Sequence, residues 1–372
     1  MAAPRSLDAI QRAVVRPCLA TINPSIWEGL ELPKRHWLID QWILAKGTTY
    51  LTGKGSVGKS LIAQQAMTAA AVGKPFLGQP VKRVRAAYIT AEDDVEELHR
   101  RQSAINDALG ITMTDLDGWL HLVSLKGRSA ALVSFGVETT ILPLFEEIAG
   151  MIEVTGIEAM ALDNVAHLLA GNENDRYVVS AFIGKCDRLA EMMNGSVLLI
   201  GHPNKAGDEF SGSTAWENAV RSRLYMDTAS ERDGYTDPDS RTLSRSKFNY
   251  GPKGEALTFR WHKGAFVCDN ELPSDYVAEM AHAAAIVQEN DRFLECLDAS
   301  IAQGRNVSHA VGSNNAPKVF ASMPESRGMP KEAFERALNR LLSLGVIEAN
   351  KPVQKYSNRT VKYGLVRAGY TL

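Results

Sequence analysis

The stretch from Leu51 to Ser60, LTGKGSVGKS, has residue types and a spacing that suit the binding of phosphate groups. Its glycines, lysine and serine satisfy the pattern G-x-x-x-x-G-K-S. Glycines let backbone N–H groups turn inward around phosphates, the lysine adds a positive charge, and the serine hydroxyl can bind Mg²⁺. We therefore predict a nucleotide-binding loop with Mg²⁺ at its end. The loop consists of Gly53, Lys54, Gly55, Ser56, Val57, Gly58, Lys59 and Ser60.

Two carboxylates end apolar runs further along the chain. Asp163 closes EAMALD, where P-loop proteins place a carboxylate that assists the metal; the alternative is an aspartate that only caps a turn. Glu92 closes AAYITAE, about thirty residues after the loop, where one crossover helix brings the next parallel strand. A glutamate there can deprotonate a water for attack on the γ-phosphate. This position favours a hydrolase over a kinase.

A histidine ends a third apolar run. His202 closes SVLLIGH, where a polar side chain can sense the γ-phosphate and pass its presence to the loop that follows. The alternative is a structural histidine. We keep His202 as a candidate for the site because it stands at a strand end.

These residues require a sheet to hold them. From about Trp37 to Phe266, short β-rich runs alternate with helical stretches, which predicts an α/β fold. The first five runs are far enough apart for crossover helices and should be parallel, whereas SRLYMD, RTLSRSKFN and LTFRWHKGAFVC should be antiparallel edge strands. Polar, Gly-rich breaks at 171–175 and 202–213 each follow a strand of the central set. Both loops should therefore lie beside the nucleotide.

The bulk composition excludes several classes of protein. With 372 residues the chain exceeds the size of a single core, so at least two domains are expected. A net charge of −2 points to no global attraction to nucleic acid, and the four cysteines have no paired spacing of the kind found in zinc sites. No apolar run has the length of a membrane span, and the first residues lack the pattern of a signal peptide. We expect a cytoplasmic protein without membrane contact.

The C-terminal part has a different character. Residues 301–372 contain five Lys and six Arg but only four Glu. The segment MPKEAFERALNRLLSLG has one apolar helix face, and a strand–turn–strand pattern with a basic tip follows it. Helices before a basic hairpin indicate a winged-helix-like domain; the alternative is a small packing or oligomerisation domain. The predicted parts are an N-terminal segment (1–36), an ATPase core (37–270), a helical linker (271–300) and the basic domain (301–372).

Several separate motifs together resemble one known family. They are GKGSVGKS, YITAEDD, ALDN, GHPNKAG, GSTAWENAVRSRLYM and SRSKFNYGPKG. The sequence from roughly Trp37 to Cys268 resembles the RecA-like hexameric replicative helicases of the plasmid RepA type and related phage and prophage ATPases. The resemblance implies a RecA-like P-loop core that uses ATP and Mg²⁺.

The resemblance also assigns roles. It implies that Glu92 is the catalytic glutamate, that Lys59 and Ser60 are the P-loop pair and that Asp163 is the Walker B aspartate. His202 matches the γ-phosphate sensor. Arg221 matches an arginine finger that reaches the nucleotide of a neighbouring subunit, and Lys247 matches a basic residue at the subunit boundary. DnaB-type helicases have an arginine where Asn249 stands, so the finger here must be Arg221 or Lys247.

The leading hypothesis for function is an ATP-driven ring or filament on single-stranded DNA, a replicative helicase of a mobile element or phage. Two alternatives stay open: a DNA-binding regulator or loader switched by ATP, and a recombination accessory protein that does not unwind. The expected partners are single-stranded DNA, duplex DNA through the C-terminal domain, and further copies of the chain as a hexamer or filament. Candidate DNA contacts are Lys205, Gly207, Gly212, Ser213, Lys331, Arg336 and Arg340.

Overall fold

The structure is a computed structural model that describes residues 21–136, 139–201, 214–228, 237–251, 254–355 and 360–371. The chain forms two compact units that meet in sequence between His36 and Trp37. The described part of the first unit contains a 3₁₀ helix, Pro24–Trp27, which begins where the Asn23 side chain accepts a hydrogen bond from the Ser25 N–H. All elements named below belong to the second unit.

The second unit alternates strands and helices before it ends in a helical segment and a hairpin. In the described residues the strands are Trp37–Ile39 (β1), Ile43–Leu44 (β2), Gly47–Gly53 (β3), Ala86–Thr90 (β4), Leu120–Ser124 (β5), Val133–Phe135 (β6), Thr139–Ile141 (β7), Ala159–Asp163 (β8), Leu169–Ala170 (β9), Ser196–Ile200 (β10), Ser222–Thr228 (β11), Ser240–Phe248 (β12), Ala256–His262 (β13), Ala265–Val267 (β14), Ile347–Lys355 (β15) and Val361–Arg367 (β16). The α-helices are Lys59–Val72 (α1), Val95–Leu109 (α2), Pro143–Thr155 (α3), Val165–Leu168 (α4), Arg176–Met192 (α5), Thr214–Ala219 (α6), Ser274–Ala302 (α7), Ala316–Ala321 (α8) and Lys331–Ser343 (α9). Short 3₁₀ helices span Met113–Leu116, Asp269–Glu271 and Pro324–Ser326.

The central sheet has nine strands in the order β14-β13-β12-β11-β3-β10-β8-β4-β5. The five strands expected to be parallel, β3, β4, β5, β8 and β10, are parallel. The prediction that SRLYMD forms an antiparallel edge strand was wrong. This strand, β11, lies between β3 and β12; it is antiparallel to β12 but parallel to β3. The connection from Ile200 to Ser222, which includes α6, is long enough for a crossover, and this permits the parallel pairing.

Helices and loops cover both faces of the sheet, and this explains the composition of the central strands. Every residue of β4, β8 and β10 is buried, as is typical of parallel strands with both faces covered. Side chains alternate between two apolar clusters. Leu51 and Tyr88 join the cluster that includes α1, whereas Tyr50 and Ile89 join the one that includes α3 and α5. The phosphate loop therefore begins from a strand that is anchored on both sides.

The strand register brings the ends of several strands to one edge of the sheet. Leu51 pairs with Ile200, Ile200 pairs with Asp163, and Asp163 pairs with Thr90. The residues that follow these positions in β3, β8 and β4 therefore emerge side by side. They are the phosphate loop, Asn164 and Glu92.

The C-terminal elements have an apolar cluster of their own. Phe293 of α7, Phe320 of α8 and Phe334 of α9 are fully buried against one another, with ring centroids 4.9 Å and 5.8 Å apart for the pairs that include Phe320. The predicted helix face is confirmed, since Phe334, Ala337, Leu338 and Leu341 are buried. The predicted hairpin forms from β15 and β16. Among the described helices, none combines the length and apolar composition that crossing a membrane requires.

Candidate active site

Two glycines of the phosphate loop cannot be replaced without a clash. A Cβ on Gly53 would lie 2.1 Å from the Met226 carbonyl oxygen of the neighbouring strand β11. Gly58 has a φ of 103°, and a Cβ there would lie 2.5 Å from the ring of Phe266. The G-x-x-x-x-G spacing therefore reflects close packing of the loop against β11 and β14 as well as its turn geometry.

The loop leads directly into helix α1, which begins at Lys59. Its N-cap, Gly58, makes no side-chain cap, so the first N–H groups of α1 remain available to an anion at the helix N-terminus. The Lys59 ammonium is buried and donates to the carbonyl oxygens of Gly53, at 2.8 Å, and of Lys54, at 2.9 Å. Burial lowers the pKa of Lys59, and the nearby charges of Asp163 and Glu92 oppose that shift.

Side chains of β11 and β12 brace the loop from the neighbouring strands. The Lys54 ammonium lies 3.0 Å from the Asp227 carboxylate, which raises the pKa of Lys54. The Arg241 Nε donates to the Val57 carbonyl oxygen at 3.1 Å. Lys54 therefore points toward the end of β11, which leaves the backbone N–H groups of the loop and Lys59 as the groups that would bind phosphate.

Asp163 ends β8 and is almost completely buried. Its Oδ2 accepts a hydrogen bond of 2.6 Å from the Tyr88 hydroxyl. Burial raises the pKa of Asp163, while the hydroxyls of Ser60 and Tyr88 favour the charged carboxylate. Its Oδ1 is buried and accepts no hydrogen bond that satisfies standard geometry from the described residues.

These oxygens fit a hard divalent cation. A buried carboxylate oxygen without a donor, beside a serine hydroxyl at the end of a phosphate loop, is a donor set that Mg²⁺ prefers. Ser60 and Asp163 would hold the ion, directly or through water. When bound, Mg²⁺ neutralises charge on the phosphate oxygens.

Glu92 lies two residues beyond β4, next to the end of β8. Its Oε1 accepts a hydrogen bond of 2.7 Å from the Asn164 amide and lies 3.3 Å from Nε2 of His167. The next two residues serve helix α2. Asp94 caps α2 by accepting from the Glu97 N–H, and Asp93 forms an ion pair with Arg101.

Arg221 lies at the opposite edge of the sheet from the phosphate loop, whereas Lys247 pairs with Arg223 and is level with Tyr50 in the middle of β3. Ser222 pairs with Thr49, and Met226 pairs with Gly53, so Arg221 stands level with the start of β3. Arg221 is level with the residue of β3 that stands five positions before Gly53, and five residues of parallel strand span about 16 Å. The exposed Arg221 is therefore far from the nucleotide loop of its own chain.

Arg221 lies in the short connection between helix α6 and strand β11. Lys247 of β12 donates a hydrogen bond to the Glu217 carbonyl oxygen in α6. Arg223, which belongs to the strand predicted from SRLYMD, is buried in β11, where its Nε donates to the Thr52 hydroxyl at 3.3 Å.

One tryptophan connects the loop after β8 with α6. The Trp216 indole donates to the Glu173 carbonyl oxygen at 3.0 Å and stacks on Tyr50 with 5.0 Å between ring centroids. The other candidates of the two loops cannot be placed. His202, Lys205, Gly207, Gly212 and Ser213 lie outside the described residues.

The basic candidates of the C-terminal part are engaged in ion pairs. Arg336 and Arg340 of α9 both pair with Glu289 of α7, and Lys331 pairs with Glu335 one helical turn away. Although burial opposes the shift, the two guanidinium groups hold the pKa of Glu289 below its usual range. Arg336 and Arg340 therefore join two helices in this structure, and their role as DNA contacts stays a prediction.

The sequence reasoning missed several residues that arrange the site. Tyr88 and Arg241 lie within strands, and nothing in their local pattern marks their contacts. Asn164 follows Asp163 directly and His167 lies four residues after it, so the polar residues in ALDNVAH were a signal that could have been used. The residues in question are Tyr88, Asn164, His167, Asp227 and Arg241.

Comparison with protein families assigns half of the chain to one family. A family model described as an AAA domain matches residues 22–208, slightly more than half of the chain. No curated protein matches the chain at a significant level. Among solved structures, a KaiC-like protein, PH0186, from the hyperthermophilic archaeon Pyrococcus horikoshii OT3 is 16% identical, with a TM-score of 0.44 over 63% of this chain and 98% of that one. With half of its length matched, and with the phosphate loop, Asp163 and Glu92 gathered at one edge of the sheet, the chain belongs to the AAA domain family of P-loop ATPases.

Proposed function

We propose that the chain is an ATP-driven motor on single-stranded DNA, and specifically a hexameric replicative helicase of a mobile element or phage. The observation that carries the proposal is the separation of the two halves of the site. The phosphate loop and Glu92 occupy the carboxyl edge of the parallel strands, whereas Arg221 stands at the other edge. A site with both halves forms only between two copies of the chain.

The chemistry follows from the residues at the carboxyl edge. Glu92 takes a proton from a water molecule as that water's oxygen bonds to the γ-phosphorus and the bond to the departing ADP oxygen breaks. Lys59 stabilises the negative charge that develops on the transferred phosphoryl group. In the assembled ring, Arg221 of a neighbouring copy adds a second positive charge, so hydrolysis depends on assembly.

Contacts around Trp216 favour coupling between DNA and hydrolysis. The proposed DNA loops are 171–175 and 202–213, and Trp216 holds the first loop through the Glu173 carbonyl. Trp216 belongs to α6, which directly follows the second loop and ends just before Arg221. A strand bound at these loops would therefore act on the helix that positions the finger.

A second candidate function, an ATP-switched DNA-binding regulator or loader, is favoured by the C-terminal elements. Helices α7, α8 and α9 precede the hairpin of β15 and β16, and the Leu365 N–H donates to the Val307 carbonyl oxygen as in a short third strand. This order supports the proposal of a winged-helix-like domain, and helix-turn-helix domains of this general kind bind duplex DNA. In the motor hypothesis the same domain is an accessory.

Phosphate release from ATP tests the proposal. The full-length chain with Mg-ATP should hydrolyse ATP faster when oligo-dT is present, and Glu92→Gln should bind ATP normally but hydrolyse it about a hundredfold more slowly. An unchanged rate in Glu92→Gln would contradict the assignment of the base. A wild-type rate that does not respond to single-stranded DNA would favour the second candidate function.

A further inference from the structure

The carboxylate of Glu92 is held at one of its two oxygens. Oε1 accepts the hydrogen bond from Nδ2 of Asn164 at 2.7 Å, and Nε2 of His167 lies 3.3 Å from the same oxygen. Asn164 is almost fully buried, whereas the side chains of Glu92 and His167 are about half exposed. Two polar groups from one short segment therefore converge on the proposed base.

The orientation of the Asn164 amide follows from the backbone. Asn164 is the N-cap of helix α4, and its Oδ1 accepts a hydrogen bond of 3.1 Å from the Ala166 N–H. Because the carbonyl end of the amide is occupied by the cap, the NH₂ end faces Glu92. The short helix α4 then places His167 one turn further on, beside the same carboxylate.

We propose that Asn164 and His167 are positioning residues for Glu92. Both hold Oε1, so that Oε2 is the oxygen that takes the proton from the attacking water. This inference deepens the proposed function and rests on it. The water oxygen bonds to the γ-phosphorus, the bond from that phosphorus to the bridging oxygen of ADP breaks, and the proton passes to Oε2 of Glu92.

Two physical effects make such a pair useful. A half-exposed glutamate samples several rotamers, and fixing it beforehand removes that entropy loss from the chemical step. Because both groups hold Oε1, Oε2 is also left to face the water, and the carboxylate needs no reorientation before it accepts the proton. Neither effect involves ATP binding. Loss of the pair should therefore lower kcat and leave KM nearly unchanged.

Variants of Asn164 separate positioning from capping. Ser and Asp are both good N-caps, so Asn164→Ser and Asn164→Asp keep the start of α4 but remove the donor to Glu92. We expect kcat for ATP to fall about tenfold in Asn164→Ser, and further in Asn164→Asp because its carboxylate repels Glu92, with KM within about twofold of wild type. If both variants keep kcat within about twofold of wild type, Asn164 is only a cap and the proposal is overturned.

Variants of His167 give an independent test on an exposed residue whose replacement should not disturb folding. His167→Ala should lower kcat about threefold, and His167→Gln, which keeps an N–H donor at similar reach, should recover most of that loss. Equal kcat values for His167→Ala and wild type would remove His167 from the proposal. A loss that His167→Gln fails to recover would mean that the contact with Glu92 is not the cause.

The same assays distinguish this inference from the proposed function. If wild type and Glu92→Gln hydrolyse ATP at the same rate, both the base and its positioning are wrong. If wild type is about a hundredfold faster than Glu92→Gln but the Asn164 and His167 variants match wild type, only the positioning is wrong. Binding of a fluorescent ATP analogue should be unchanged in the Asn164 and His167 variants, and the melting temperature should be unchanged in the variants of the exposed His167.

Discussion

Arg221 and Gly53 lie at opposite ends of two neighbouring parallel strands. In the pairing of β11 with β3, Met226 is level with Gly53. Arg221, the residue before β11, is therefore level with the start of β3. An arginine at that end cannot stabilise charge on phosphates at the other end. If Arg221 is a finger, it must serve a neighbouring copy of the chain.

Mixing two inactive variants tests this arrangement. Arg221→Ala keeps the base but lacks the finger, and Glu92→Gln keeps the finger but lacks the base. Each variant alone should therefore hydrolyse ATP slowly. In an equimolar mixture, randomly assembled subunits should restore up to about a quarter of the wild-type rate, since about a quarter of the interfaces then carry both groups. Phosphate release from the mixture measures this recovery.

The matched control mixes two variants that are both altered on the carboxyl edge, where the base and the phosphate loop lie. Glu92→Gln mixed with Lys59→Ala should recover no activity, because no interface then contains an intact site with its own base and lysine. Arg100→Ala, which removes an exposed arginine on α2, should behave like wild type. Arg221→Ala that assembles normally and keeps the full rate would exclude a finger at this position.

Lys54 and Lys59 share a loop but should contribute differently to ATP binding. Lys54 is directed to Asp227, whereas Lys59 is buried at the start of α1 among the carbonyl groups of the loop. Lys54→Ala should therefore weaken ATP affinity by less than about threefold, since an exposed ion pair contributes little. Lys59→Ala should weaken it by about a hundredfold, as expected for loss of a charge aimed at the phosphates. Comparable losses of ATP affinity in Lys54→Ala and Lys59→Ala, measured by equilibrium titration, would show that Lys54 also binds phosphate.

Glu289 should make the C-terminal cluster sensitive to acid. Its pKa is lowered in the folded chain, so its contribution to stability is present above the unfolded pKa of about 4.3 and is lost as pH falls through the folded value. At neutral pH, Glu289→Gln should destabilise α9 by about 2 kcal/mol because Arg336 and Arg340 lose their carboxylate.

Hydrogen exchange of the α9 amides measures this effect locally. Protection in wild type should decline below about pH 4, whereas Glu289→Gln should show lower protection at neutral pH and a weaker decline in acid. Lys331→Gln, which removes an exposed pair with Glu335 on the same helix, should leave protection nearly unchanged. Identical pH profiles in wild type and Glu289→Gln would contradict the role of the pair.

Duplex binding by the C-terminal domain should depend on exposed lysines rather than on the arginines that join its helices. Lys331 begins α9, and Lys355 is exposed at the end of β15, beside the tip of the hairpin. If each lysine contacts one phosphate, replacing both by glutamine should reduce the slope of log affinity for duplex DNA against log salt concentration by about 2. Affinities measured over a salt series test this, and an unchanged slope would leave the domain a packing or oligomerisation role.

The sequence was informative where a local pattern marks the end of a strand. Apolar runs predicted that the phosphate loop, Glu92 and Asp163 stand at strand ends, and they lie at the ends of β3, β4 and β8. Their roles in the reaction stay predictions. The direction of β11 could not be predicted, because its pairing depends on the crossover through α6 rather than on its own residues.

Contacts between segments that are far apart in the chain could not be predicted from the sequence either. Nothing in the order of residues pairs Lys54 with Asp227, Tyr88 with Asp163, or Glu289 with Arg336. Such pairs form because the fold brings together strands and helices that are far apart in the chain. Arg336 and Arg340 illustrate the consequence, since their basic character suggested DNA while their nearest partner is a carboxylate of α7.

Strand separation on a forked DNA substrate tests the central claim most directly. The full-length chain with Mg-ATP should separate a duplex that carries both single-stranded tails, and the reaction should stop with a non-hydrolysable ATP analogue or in Glu92→Gln. Hydrolysis stimulated by single-stranded DNA without any strand separation would contradict the assignment as a helicase.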